Sequence, residues 1–420
     1  MEFYQITGGK RLMGDVLIHG AKNSVLPILA ATVLSGGQCT IHNCPNLSDV
    51  DTSEAILRHL GCRAQRQGND FAVDASTVTR CDIPMELMRD MRSSVLYLGA
   101  LVARCGEADL VTPGGCALGA RPIDMHLAAL EQMGVTARME GDRILCRAER
   151  LRACSHSFPF PSVGATENAM LAAVGCGGEV LLSNTAREPE VGDLIRFLRA
   201  MGAEAAAENG RILIRGGAKL HGAEFTVMPD RIEAATYLAA AAACGGDLLL
   251  RGAEREALGS VIGCLSASGC GIADDGAGLR IRRTDALRAP DRIRTAPYPG
   301  FPTDAQAPVT AALLRAEGIT EVTETIFENR MRHVPELQRM GAEITLCGRT
   351  ARICGTAHLH GAEVWAADLR CGAALVIAAL SADGGSRVYG VKYIHRGYDG
   401  LETNLRRAGA EIALTDEQPA

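Results

Sequence analysis

The chain carries no stretch that reads as a leader, a membrane span or a zinc site. Its first residues, Met1-Glu2-Phe3-Tyr4-Gln5, offer neither a basic start nor an apolar core, so no signal peptide is expected. The most Ala-rich apolar run, Ala234 to Cys244, is too short to span a bilayer and stops at Gly245-Gly246-Asp247. Fifteen cysteines are present, yet no two form a C-x-x-C pair and no His/Cys spacing suits zinc. Most are therefore expected to be small buried hydrophobes in a reducing, cytoplasmic protein. A basic tract is also missing. With a net charge of -6, the chain lacks the phosphate contacts a nucleic-acid scaffold needs. What remains is globular: 47% hydrophobic and 22% charged residues over 420 positions, enough for two or three domains. No membrane, nucleic-acid or obligate protein partner is expected.

What the chain does have is repetition. A helix ending in Gly recurs at Leu60-Gly61, Met133-Gly134, Met201-Gly202, Ser268-Gly269, Met340-Gly341 and Ala408-Gly409, a period of about 70 residues. Each unit opens on a small-residue helix, such as Ser24 to Leu34 or Ala234 to Cys244. A glycine turn then leads into a strand, as at Gly177 to Leu182. A second helix follows, clearest where Val191, Leu194, Ile195 and Leu198 form one apolar face. The glycine closes it, and short strands such as Arg211 to Arg215 complete the unit. The fold class is thus α/β, with six units.

The segments Gly217 to Glu224, Thr356 to Glu363 and Gly9 to Val16 look alike, and each reads as the closing strand of a unit. The sixth unit runs out at Ala420 without one, so residues 1–21 are expected to supply it. That gives one domain over 22–229 and another over 1–21 plus 230–420, with two chain crossings near Lys22 and Asp230 forming a hinge beside a cleft.

Polar residues stand where the first helix of several units begins: Lys22-Asn23, Arg92-Ser93, Asp230-Arg231, Asp304 and Asp368-Leu369-Arg370. Helix N-termini attract anions, and Lys22, Arg92, Arg231 and Arg370 would add to that pull. Asp230, Asp304 or Asp368 could place a base in the same space. For any one aspartate, N-capping is the plainer reading. Arg121, Arg330 and Arg396 are further cations in loop-like sequence. Cys116 stands in the glycine-rich stretch Pro113-Gly114-Gly115-Cys116-Ala117-Leu118-Gly119-Ala120-Arg121-Pro122, where a nearby cation favours the reactive thiolate.

These motifs, taken in order, resemble the UDP-N-acetylglucosamine enolpyruvyl transferases of the enolpyruvyl transferase family. The likeness covers nearly all of the chain. It runs from Gly20-Ala21-Lys22-Asn23-Ser24 through the Cys116 stretch, Ser162 to Asn168, Pro229 to Glu233, Phe301-Pro302-Thr303-Asp304, Thr323 to Arg330 and Asp368-Leu369-Arg370, ending at Arg396-Gly397-Tyr398. The resemblance implies two inside-out α/β barrel domains, each of three βαβαββ-type repeats. It implies that Lys22, Arg121 and Arg396 bind phosphoenolpyruvate, with Asn23, Arg92 and Arg370 nearby. Asn23, Arg92, Arg121, Pro122, Ile123, Asp124, Met125, Ser162, Val163, Gly164, Asp304, Ile326 and Arg330 would serve the UDP-sugar. Asp230, Arg231 and Asp368 would support them. Cys116 would be the general acid and Asp304 the base, with no metal or organic cofactor called for. Phe160 and Ser48 stand where some relatives carry a basic residue, which leaves the contacts to the UDP phosphates open.

Two other readings compete. The sister enzyme acting on shikimate 3-phosphate has Ser-Lys-Ser at the first junction and no Cys-bearing Pro-Gly-Gly loop, unlike Ala21-Lys22-Asn23 and Cys116 here. A non-catalytic nucleotide-sugar binder would have no use for Cys116, Asp304 and Arg396 together.

Overall fold

The structure, a computed structural model, describes residues 1–112 and 123–416. These fall into two compact units, one of residues 20–112 and 123–228, the other of 1–19 and 229–416. Each unit has its own apolar core.

Six inner helices open the repeats: α1 (Lys22–Ala31), α2 (Tyr97–Cys105), α3 (Val163–Ala173), α4 (Arg231–Cys244), α5 (Thr303–Ala312) and α6 (Leu369–Ser381). In the first unit α2 packs against both α1 and α3, and in the second α4, α5 and α6 pack on one another. Helix α4 is buried without a break from Arg231 to Ala242, and α6 from Arg370 to Ser381. Helices apolar on every face belong inside, and their alanines let neighbouring backbones come close. The outer helices are one-sided instead. Helix Pro189–Ala200 buries Val191, Leu194, Ile195 and Leu198 and closes on Gly202. The six repeat-marking glycines all adopt left-handed φ values between 87° and 103°. An L side chain is strained there, so the mark recurs for a backbone reason.

The described residues form six small sheets, three in each unit, and five share one four-strand order. An edge strand runs parallel to the first strand of the repeat, which is antiparallel to one of a further antiparallel pair, a hairpin in four of the five sheets. In the third repeat, Arg152–Ser157 flanks Gly177–Ser183, followed by Arg211–Arg215 and Glu204–Glu208. The sheet of Glu107–Val111 has three strands, with a lone Asp82–Asp109 bridge where the others have an edge strand.

The chain's start corrects one expectation. Gly9 to Val16 does not close the sixth repeat. Glu2–Thr7 does so, antiparallel to Gly385–Tyr389 and Glu411–Asp416, with Phe3 opposite Tyr389 and Tyr4 opposite Leu414. Leu12–Leu17 instead lies parallel to Gly246–Arg251, in the fourth repeat's sheet. Its lookalikes behave in the same way: Glu224–Thr226 pairs with Gln38–His42, and Glu363–Trp365 with Gly385–Tyr389. This strand leaves one hairpin and becomes the parallel edge of another sheet.

Candidate functional site

In the first unit the expected residues gather at helix starts. Lys22 opens α1 with no side-chain cap above it, and is buried. Its Nζ lies 2.7 Å from Oδ2 of Asp49, itself buried in the first turn of helix Ser48–His59. Asn23 follows, half-buried. The start of α1 is tied down by Ser24, whose hydroxyl donates to the buried Asp193 carboxylate, which also accepts from the Met228 N–H at 3.1 Å. Arg92 begins the short turn Arg92–Leu96 and is half-buried. On either side of Ser48 in sequence, Asn46 and Asp51 engage a basic side chain, Arg66, whose Nη1 lies 2.8 Å from Asn46 Oδ1 and pairs with Asp51. Phe160 is exposed.

A second group surrounds His126. Ile123 caps helix Asp124–Gln132, which carries Asp124, Met125 and His126 in its first turn. Ser162 caps α3 by accepting from the Ala165 N–H, with Val163 and Gly164 next in line. A Cβ at Gly164 would sit 3.3 Å from the His126 ring, so glycine allows this approach. Asn168 Nδ2 donates to His126 Nδ1 at 2.9 Å and to the Val95 carbonyl at 3.1 Å. Accepting at Nδ1 leaves the ring proton of neutral His126 on Nε2. Burial, then the Arg92 charge, pushes this imidazole down to about 4, with Asp124 acting the other way.

In the second unit the aspartates separate by role. Asp230 is a cap: its Oδ1 accepts from the Ile232 N–H at 2.7 Å and the Glu233 N–H at 3.0 Å. Asp368 caps α6 through Oδ1, accepting from the Arg370 and Cys371 N–H groups at 2.9 and 3.0 Å. Asp304 is not the N-cap of α5, which takes Pro302 there and carries Asp304 in its first turn. Its Oδ1 accepts from Arg330 Nη2 at 2.5 Å and its Oδ2 from Arg370 Nη2 at 3.0 Å. Both arginine side chains are 4% exposed, against 25% for Asp304. Arg370 also donates to Tyr398 Oη at 3.1 Å, and that hydroxyl lies 2.8 Å from Thr236 Oγ1. Burial alone would lower the Arg370 pKa, but Asp304 first, with Tyr398 and Asp230, reverses this and holds it above the ordinary arginine value. Arg231 is buried, its guanidinium 5.8 Å from the Tyr298 ring centre.

Ile326 is set by a residue the sequence reading gave no role. Buried Glu324 accepts from the Ile326 N–H at 2.7 Å, the Phe327 N–H at 3.1 Å, and the hydroxyls of Thr295 and Thr303. Arg396 is half-buried after the short helix Val391–Ile394. Next to it, a Cβ on Gly397 would meet the Leu369 side chain at 2.6 Å, so a larger residue there would push that leucine at the start of α6 aside.

The expected residues thus divide between the units. Lys22, Asn23, Arg92, Ile123 to Met125 and Ser162 to Gly164 belong to the first. Asp230, Arg231, Asp304, Ile326, Arg330, Asp368, Arg370 and Arg396 belong to the second. Cys116, Arg121 and Pro122 lie outside the described residues. Asp49, His126, Asn168, Glu324 and Tyr398 join the candidates from tertiary contacts. Among the described residues no cluster could hold a metal ion, and no helix is long and apolar enough to cross a membrane. Chemically, a carboxylate between two buried guanidiniums can do two things. It can take a proton from a substrate hydroxyl, and it can yield a guanidinium to an incoming anion.

Acid should destabilise this protein through two histidines. Burial pushes His126 and fully buried His333 both down to about 4. Below the unfolded value of about 6.5 the unfolded chain binds protons that the folded chain refuses, so stability falls with pH down to about 4. Each ring should cost about 3 kcal/mol by the end of that window. Urea midpoints at pH 7.5, 6 and 5 measure the fall, which should be shallower in His126→Asn. An equal slope in that variant would remove His126 from the account.

Comparison with known proteins places this arrangement in a family. The family model for EPSP synthase (3-phosphoshikimate 1-carboxyvinyltransferase) matches residues 6–405. UDP-N-acetylglucosamine 1-carboxyvinyltransferase 2 of Caldanaerobacter subterraneus is 48% identical over 97% of this chain and 98% of its own. UDP-N-acetylglucosamine 1-carboxyvinyltransferase of Nitratidesulfovibrio vulgaris is 46% identical over 98% of this chain and 99% of its own. Among solved structures, the enolpyruvyl transferase NikO from Streptomyces tendae matches with a TM-score of 0.90 at 28% identity, covering 99% of both chains. An EPSP synthase from Acinetobacter baumannii shares the fold, with a TM-score of 0.74 at 17% identity over 99% of this chain and all of its own. With a match over nearly its whole length, the chain belongs to the EPSP synthase family of enolpyruvyl transferases, and its relatives at 44–48% identity are UDP-N-acetylglucosamine 1-carboxyvinyltransferases.

Proposed function

We propose that the chain transfers the enolpyruvyl group of phosphoenolpyruvate to the 3-hydroxyl of UDP-N-acetylglucosamine and releases phosphate. This would be the first committed step of peptidoglycan precursor synthesis, carried out in the cytoplasm. The observation that carries the reading is Asp304, held between Arg330 and Arg370 in a chain whose relatives of that activity align from end to end. Lys22, Arg92, Arg121, Arg370 and Arg396 supply cations for the phosphate and carboxylate of phosphoenolpyruvate. Asn23, Ile123 to Met125, Ser162 to Gly164 and Ile326 serve the nucleotide sugar.

The chemistry is addition followed by elimination. Cys116 gives its proton to C3 of phosphoenolpyruvate, which makes C2 electrophilic. Asp304 takes the proton of the sugar hydroxyl, whose oxygen bonds to C2 and forms a tetrahedral ketal. The Cys116 thiolate then takes a proton back from the new methyl group, the bond from C2 to the phosphate oxygen breaks, and the enol ether remains. Arginine and lysine cations stabilise the charge on the departing phosphate. Opposite charges favour the ionised carboxylate, so Asp304 becomes a better base once the anionic substrate draws an arginine towards itself. Asp230 and Asp368 keep the helix starts beneath these groups in place.

Phosphate release from phosphoenolpyruvate tests the proposal directly. With UDP-N-acetylglucosamine it should be catalytic, and with shikimate 3-phosphate it should stay at background. The reverse preference would favour the sister activity, and no release with either acceptor would favour a binder.

A further inference from the structure

Behind Asp304 lies a set of buried polar atoms that the proposed chemistry does not use. Arg330 reaches Asp304 and the Thr303 carbonyl through Nη2 alone. Its Nε finds no hydrogen-bond partner among the described residues. Three residues on, His333 caps helix Val334–Arg339 with no exposure to solvent. Neither of its ring nitrogens has a partner among the described residues. The Arg330 carbonyl lies near the ring but outside hydrogen-bond geometry. On α6, Asp368 spends Oδ1 on its cap, while its buried Oδ2 has no partner among the described residues. Helix Val334–Arg339, which His333 caps, packs against α6, which Asp368 caps, and the charges of Asp368 and Arg330 both reach the His333 ring.

Buried polar groups are rarely left unmatched, and ordered water is the usual partner where protein groups do not meet. The chemistry of this set says what fits. A cation is opposed by Arg330, and an anion by Asp368 Oδ2. Burial keeps the His333 ring neutral, with one nitrogen donating and the other accepting. Donors and acceptors are therefore mixed. A water molecule can accept from Arg330 Nε–H or the ring N–H and donate to Asp368 Oδ2 or the other ring nitrogen.

We propose that ordered water held by His333, Arg330 and Asp368 fixes the Arg330 guanidinium against Asp304, which makes His333 a positioning residue for the base. The role assigned to Asp304 rests on the enolpyruvyl transfer proposed above; the water does not. Arg330 holds Asp304 on one side and Arg370 on the other. Loosening Arg330 removes part of the positive field that keeps Asp304 ionised, and its titration should then move to higher pH.

A crystal structure of the full chain, at a resolution that shows ordered solvent, tests the first half. It should place water within hydrogen-bond distance of a His333 ring nitrogen and of Arg330 Nε or Asp368 Oδ2. A dry pocket, or a direct His333–Asp368 hydrogen bond, would overturn it whether or not the enzyme transfers enolpyruvate. For the second half, His333→Phe keeps a ring and removes both nitrogens. Its kcat should fall about tenfold, and the acid limb of its kcat/KM profile should move to higher pH. His333→Asn, which retains a donor and an acceptor, should recover most of both. An unmoved acid limb in folded His333→Phe would leave His333 a purely structural residue. Should that variant fail to fold, a parental profile in His333→Gln with the water intact supports the role, and a parental profile with the water gone refutes it.

Discussion

Asp304→Asn is expected to lower kcat about 10³-fold, because it removes the base that takes the sugar hydroxyl proton. It should also weaken the fold. In the parent, Arg330 and Arg370 are both buried and both donate to this one carboxylate. Asparagine can accept from one guanidinium at most while presenting an N–H₂ to the other, and it carries no charge. Two buried cations then lose their shared counter-charge, which should cost about 3 kcal/mol. The two effects are separable. Phosphate release gives kcat, and urea unfolding gives stability. Arg370→Met in the same background should restore part of the stability, by removing one stranded cation, without restoring turnover. Parental kcat in Asp304→Asn would remove the residue as base. Parental stability would show that the bridge contributes nothing to the fold.

The repeat was legible in the sequence because it rests on backbone necessity. Each of the six marking glycines takes a left-handed φ that side chains resist, so glycine stands there whatever else varies. Strand Arg211–Arg215 and the apolar face of helix Pro189–Ala200 were equally plain, since both follow from local periodicity. The chain's start was not. Glu2–Thr7 and Leu12–Leu17 are two short strands in succession, and only pairing with distant residues decides which sheet each one joins. At the candidate site the same boundary appears. Asp230, Asp304 and Asp368 look alike beside helix starts, and their helical context allows each to be a cap. What sets Asp304 apart is Arg330, 26 positions away, and Arg370, 66 positions away. Asp49 and His126 carry no local mark, and Glu324 has only its place in the Thr323 to Arg330 motif. Their interest comes from burial and from the partners that packing gives them.

The largest loss of activity is expected at Cys116, through its proton rather than its sulfur. Cys116→Ala and Cys116→Ser should each fall by about 10³-fold or more, since neither methyl nor hydroxyl can give a proton to C3 near neutrality. Cys116→Asp should keep measurable turnover with its optimum moved towards acid, because a carboxyl group serves only while protonated and nearby arginines favour its ionised form. An epoxide phosphonate should alkylate the parent at Cys116 and spare the Asp variant. The other fourteen cysteines, none of them in a disulfide among the described residues, supply the internal control. Burial pushes Cys62 and Cys270 up to about 11 and Cys146, Cys176, Cys244, Cys264 and Cys371 up to about 12, so these sulfurs stay as inert thiols. Cys105 and Cys347 are the exposed ones, and desolvation of its sulfur still raises Cys105. By exposure, Cys347 and Cys105 are the main competitors for an electrophile. Peptide mapping by mass spectrometry should find Cys116 modified in step with lost activity, and Cys347 and Cys105 only at higher reagent concentrations. Full turnover in Cys116→Ala, or inactivation that tracks Cys347 or Cys105 while Cys116 stays unmodified, would end the assignment of Cys116 as the acid.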